Sequence, residues 1–229
     1  MSENKAIMEY RADSGAPVKL SPGVVRSYLT RGGGRISDQE IMMFMMLCRD
    51  QGLNPFLNEV YLIKYGSNDP AQMTTSYDVF KQRAMRHPLY QGHNAGTICV
   101  DKSGEAVHRA GCMVYPGDEV IGGWCSVERK DMVPLLHEVS FNEYVGRKSN
   151  GDINRMWASK PGTMIRKVAV SQALREAFPE SMQGLYTPEE YGRAQEEVPS
   201  VPIDITPEPE IIEIETPQEP QEEAYEDAS

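Results

Sequence analysis

The chain of 229 residues carries 34 acidic and 23 basic side chains, a formal net charge of −11. That charge is unevenly placed: residues 195–229 hold twelve acids, six prolines and no Lys or Arg, which leaves residues 1–194 at +1. No stretch approaches the ~20 apolar residues of a membrane span, no charged-then-apolar leader opens the chain, and four cysteines without a C-x-x-C pair argue against zinc.

A length of about 190 ordered residues suits one domain that buries roughly 70% of its unfolded surface. Residues 1–20 show no periodicity and are expected as a flexible arm, with a core over 21–194 and a disordered acidic tail over 195–229. "SPGVVRSYLTRGGGRI" opens with Ser21 as N-cap and Pro22 in the first turn of a helix. It ends in three glycines, expected as a mobile joint at 32–34. "SDQEIMMFMMLCRDQG" is the clearest helix, with Ser37 and Glu40 at capping-box spacing, an apolar body and Gly52 as the stop.

Asn54-Pro55 breaks the chain before a strand through "EVYLIK", and a short strand at Met73–Ser76 precedes the helix "YDVFKQRAMRH". "NAGTICVD", "AVHRAGCMVY" and "EVIGGWCSVER" follow, separated by turns, and their spacing predicts an antiparallel meander. Cys99, Cys112 and Cys125 fall in these strands and are expected as reduced core thiols of a cytoplasmic protein. A short helix at "SFNEYVG" leads to a long one from about Thr163 to Phe178, ended by Pro179, and "TPEEYGRAQ" forms a last short helix.

Chemistry-bearing motifs are few. The chain has no P-loop pattern, no nucleophile elbow and no carboxylate cluster for two metals. His87, His93, His108 and His137 are scattered and are expected in ordinary surface or half-buried roles. Neither a cofactor nor a resident metal is expected, and no enzymatic activity.

The basic block is more informative. Residues 147–175 carry seven Lys and Arg against the single acid Asp152. On the long helix, apolar residues lie on nearly every side, while Lys167, Ser171 and Arg175 fall at i, i+4 and i+8 in one narrow row. Steps of about 6 Å along that row suit successive phosphates of one strand. Trp157, Tyr77 and Phe80 offer stacking surfaces. The same cations could instead form a solvated face or pair with carboxylates elsewhere in the fold, since Lys and Arg are rarely buried unpaired.

"LNPFLNEVYLIKYG", "DVFKQRA", "KPGTMIRKVAVSQALREAFPE" and "GLY" before an acidic helix, in this order, resemble the RecT and lambda Red beta family of phage single-strand annealing proteins, which includes Bet. The resemblance runs from about residue 20 to 192. It implies an α+β core with a bent antiparallel sheet, helices and a basic groove. It also implies binding of single-stranded DNA, assembly into rings or helical filaments, and annealing of complementary strands through a duplex intermediate without ATP. The groove so implied is lined by Lys64, the Tyr77–Arg86 helix and residues 160–175. Lys160, Arg166, Lys167 and Arg175 would neutralise the DNA backbone, with Ser171 beside them. Lys64 and Lys81 would extend the track, and Trp157 and Tyr77 would stack on bases. Arg166 lies on another side of its helix and would face either DNA or a neighbouring subunit. Where many relatives carry Lys, this chain has Tyr77, so stacking would replace a phosphate contact. A partner exonuclease and a single-strand-binding protein are the implied further partners. The alternative function is a non-enzymatic recombination scaffold whose acidic tail recruits such a partner.

Overall fold

The first described residues are folded, where a flexible arm was expected. Strands β1 (Met8–Arg11) and β2 (Pro17–Leu20) pair antiparallel with Met8 opposite Leu20. Val18 and Leu20 alternate with exposed neighbours and enter the core, as the period of a half-buried strand requires. The Tyr10 hydroxyl donates to the Leu53 carbonyl at 2.5 Å and ties the hairpin to the body. The structure, a computed structural model, describes residues 7–67, 69–148 and 150–191, all within the compact unit Met1–Pro199. The expectation of a disordered tail at 195–229 lies outside the described residues.

Ser21 accepts the Val24 N–H at 3.3 Å and starts α1 (Pro22–Val24), which widens into a π-turn over Val25–Leu29. After β3 (Thr30–Arg31), the glycines expected as a joint lie instead against the end of the next strand. Gly32 has φ +89°, and a Cβ there would fall 2.2 Å from the Lys64 carbonyl oxygen, while the Gly34 N–H donates to that oxygen at 2.9 Å. These residues are glycine because the backbones touch. Helix α2 (Asp38–Asp50) forms both halves of the Ser37–Glu40 capping box and buries Ile41, Phe44, Met45 and Cys48. Met43 and Met46 remain exposed. A 3-10 turn at Pro55–Leu57 precedes β4 (Val60–Ile63), which pairs parallel with β3 and antiparallel with β5 (Gln72–Thr75). Ser76 caps α3 (Tyr77–Arg86).

The larger sheet holds β6 (Tyr90–Val100), β7 (Ala106–Ala110), β8 (Glu119–Arg129) and β9 (Leu135–Ser140) in the order β7-β6-β8-β9, every pair antiparallel. This corrects the meander: β8 joins the far side of β6 because two eleven-residue strands align along their length, while five-residue β7 covers only one end. The register shifts at Tyr90/Gly92 and Ile98/Cys99, as bulges that add twist do. His108 of β7 and Glu138 of β9 meet at 2.7 Å although two strands separate them, with Trp124 5.7 Å from the His108 ring. The sheet is bent.

Helices α4 (Phe141–Tyr144) and α5 (Arg155–Ser159) lead into α6 (Pro161–Ala177), which lies across β6, β8 and β9. A Cβ at Gly123 would sit 2.7 Å from the Ile165 carbonyl oxygen, so the bare strand lets the helix backbone approach. Ile165, Val168, Ala169 and Leu174 of α6 join Cys125 and Val127 of β8 in the core. Cys99 is also buried, but Cys112 is exposed beyond the end of β7, contrary to the expectation of three core thiols. Helix α7 (Pro179–Met182) and a 3-10 turn at Pro188–Tyr191 end the described chain. The architecture is α+β with antiparallel sheets.

Candidate nucleic-acid interface

The cations of α6 separate into two groups. Lys167 and Arg175 do share a row with Ser171, but the chain covers that row with residues 185–191. Lys167 Nζ lies 3.0 Å from Glu189 Oε1. Arg175 holds Glu190 through two nitrogens at 2.5 and 3.2 Å, donates to the Leu185 carbonyl at 3.1 Å and stacks over Tyr186 at 4.6 Å. The carboxylates belong to the closing turn, where Glu190 also accepts the Thr187 N–H at 2.7 Å. Ser171 is fully buried and donates to the Lys167 carbonyl at 2.9 Å. Side-chain exposures of 9% for Glu189 and 5% for Glu190 mark a buried clasp. In this structure Lys167 and Arg175 are thus not open cations: each has an internal carboxylate partner.

Two further residues turn inward. Trp157 is 2% exposed, edge-on to Phe141 with ring centroids 5.5 Å apart, and packs in the core. Lys64 is buried, and its ammonium bonds Glu40 at 2.9 Å. Glu40 also accepts from Ser37 N and Ala71 N, at 2.8 and 3.0 Å. The Ser37 backbone bond, followed by the Lys64 ammonium, holds the Glu40 carboxyl down at about 2.

Tyr77, Lys81 and Arg166 stay together at the surface where α3, β6 and α6 meet. Lys81 Nζ sits 4.6 Å from the centre of the Tyr77 ring, a cation–π distance, and bonds exposed Asp78 at 2.7 Å. Arg166 is half-buried and donates to the Tyr77 hydroxyl and the Ala95 carbonyl, both at 3.4 Å. Neither acceptor is charged, and Arg166 makes no ion pair among the described residues. Lys160 is exposed at the start of α6, again with no side-chain partner among the described residues.

Sequence reasoning missed three neighbours. Tyr61 on β4 carries the Arg31 guanidinium 4.3 Å above its ring, and it lies within electrostatic reach of Lys167, Glu189 and Asp78. Its phenol is pushed up, by burial first. A cleft of about 490 Å³ opens beside it, lined by Asn58, Tyr61, Asp78, Lys81, Gln82 and Met85 among others. His93 Nδ1 on β6 shares a hydrogen bond with the Tyr90 hydroxyl at 2.6 Å. Its imidazole is pushed down by burial, then by Arg166 and Lys81. Arg31, Tyr61, Lys81, Tyr77, Arg166 and His93 thus form a strip in which cations alternate with aromatic rings. Alternation of this kind offers phosphates a charge and bases a flat apolar face.

No curated protein matches the chain closely. The family model described as RecT family matches residues 18–202, which takes in the three-stranded and four-stranded sheets, α6 and the closing clasp. By that match over most of its length, the chain belongs to the RecT family, whose members bind single-stranded DNA and anneal complementary strands in recombination.

Proposed function

We propose that this chain anneals complementary DNA strands without ATP or a metal cofactor, acting as a homo-oligomer, with each strand laid along the strip from Arg31 to His93. The observation that carries the placement is Arg166: a half-buried guanidinium that, among the described residues, is held by neutral acceptors, between Tyr77 and Lys81. Arg donors in a planar fork suit phosphate oxygens, and no carboxylate among the described residues takes their charge. Lys160, at the head of the same helix, adds a cation to the track.

Annealing is then a matter of charge neutralisation and base display. The protein holds each backbone, lowers strand repulsion and leaves base edges free to pair, with no covalent step. A partner exonuclease would supply the single strands, and a host single-strand-binding protein would hand them over, in the cytoplasm of a bacterial cell. No helix among the described residues is long and apolar enough to cross a membrane.

The test is a quenched-dye assay with two complementary oligonucleotides, purified protein, a chelator and no nucleotide. Accelerated duplex formation is expected, together with large assemblies by light scattering once the first strand is added. Pairing that requires ATP, or that stops on chelation, contradicts the proposal.

A further inference from the structure

We infer that Arg166, His93 and Lys81 form one phosphodiester site at the junction of α3, β6 and α6, in which His93 binds a proton together with the phosphate. The inference deepens the proposed function and rests on it.

Arg166 makes two bonds, both at the long end of the hydrogen-bond range, which leaves three of its five donors without a partner among the described residues. The Ala95 carbonyl on β6 nonetheless holds the guanidinium beside His93, two residues along the strand. His93 is anchored through Nδ1 by Tyr90, and its Nε2 has no partner among the described residues. The protonated ring would offer that second nitrogen as a donor, with Tyr90 oxygen accepting from the first.

The groups around His93 leave it as the titrating one. From α3 come Tyr77 and Lys81, with Asp78 bonded to Lys81 on the exposed outer turn. From α6 comes Arg166. On β8 the register partner is Val127, and Cys125 lies two residues back with its thiol pushed up to about 12 by burial. Tyr90 on the same strand is also raised by burial. Two fixed cations and a half-buried position disfavour imidazolium in the free protein. A phosphate between them reverses that balance, since an opposite charge nearby favours the protonated form.

The sign follows from linkage. A group whose proton affinity rises on binding makes binding tighter as pH falls, between its raised value in the complex and its depressed value in the free protein. For one proton the gain is at most about tenfold per pH unit. Affinity levels off on both sides of that window.

The experiment is calorimetric titration of the protein with an oligothymidylate, whose bases carry no titrating group in the range, from pH 5.5 to 8 in buffers of different ionisation enthalpy. Wild-type protein is expected to take up protons on binding and to bind more tightly as pH falls. H93Q is expected to keep its thermal midpoint within a few degrees and to lose both effects, since Gln still bonds Tyr90 but does not titrate. Should H93Q fold poorly, the buffer dependence of the wild-type enthalpy alone decides. Binding without proton uptake, or an H93Q variant with the wild-type pH slope, overturns this site and leaves the proposed function standing. Absence of binding at every pH overturns both.

Discussion

Replacing Glu190 by alanine is expected to lower stability by about 3–5 kcal/mol, the usual cost of leaving one member of a buried ion pair alone. For a chain of this size that corresponds to a fall of order 10 °C in thermal midpoint. Glu190 neutralises Arg175, which is bonded to it by two nitrogens, and it also accepts from both the backbone and hydroxyl of Thr187. E190Q keeps an oxygen for Thr187 and removes the charge, so it should lie between wild type and E190A. The pair R175M/E190L should recover part of the loss, because apolar groups of similar size need no counter-charge. Folded E190A should bind oligonucleotides with an unchanged salt dependence. An unchanged midpoint with tighter, more salt-sensitive binding would instead mean that Glu190 masks a phosphate site on Arg175.

Trp157 to alanine is expected to cost a similar amount, about 3–5 kcal/mol, through loss of apolar contact and the cavity left behind. The indole is nearly fully buried beneath Phe141. Its other side meets the backbone at Gly146, where an added Cβ would lie 2.9 Å from the indole Cδ1. Asn154 accepts the Trp157 N–H at 3.1 Å and starts α5, so the ring is placed by a helix cap as well as by packing. Oligonucleotide affinity per folded molecule, measured well below the lowered midpoint, should match wild type. A stable W157A that binds strands weakly would make the ring a base platform after all.

Elements whose determinants are local were readable in the sequence. The Ser37–Glu40 capping box, the Ser76-capped helix with Tyr77 and Lys81, and the long apolar α6 depend on residues three or four apart, and all three formed. What depends on distant partners was not readable. The hairpin over residues 8–20 is two four-residue strands whose only signal is that Val18 and Leu20 alternate with Pro17 and Lys19. Strand β9 carries the same period-two pattern in "LLHEVS", with Val139 buried. The order β7-β6-β8-β9 follows from strand length and glycine placement, which spacing alone does not rank.

The cation row shows the limit most clearly. Lys167, Ser171 and Arg175 do lie on one side of α6, as the helical period dictates. Their partners stand in "TPEEY", 22 residues after Lys167 and 15 after Arg175, where two acids read as the start of a polar end. Only the fold brings that turn back onto the helix. Arg166 points away from the row, toward β6 and α3, and so escapes the clasp. Tyr61 and Arg31 come together through a parallel pairing of two strands nearly thirty residues apart, and no local pattern announces it.

The salt dependence of oligothymidylate affinity for K81Q/R166Q tests the account most directly. Each phosphate neutralised on a single strand contributes roughly 0.7 to the slope of log affinity against log salt. With both cations on the track, the slope should fall by about 1.4 per subunit and every sequence should be weakened alike, with the thermal midpoint little changed. A wild-type slope in this variant would contradict the account and place the strand elsewhere on the protein.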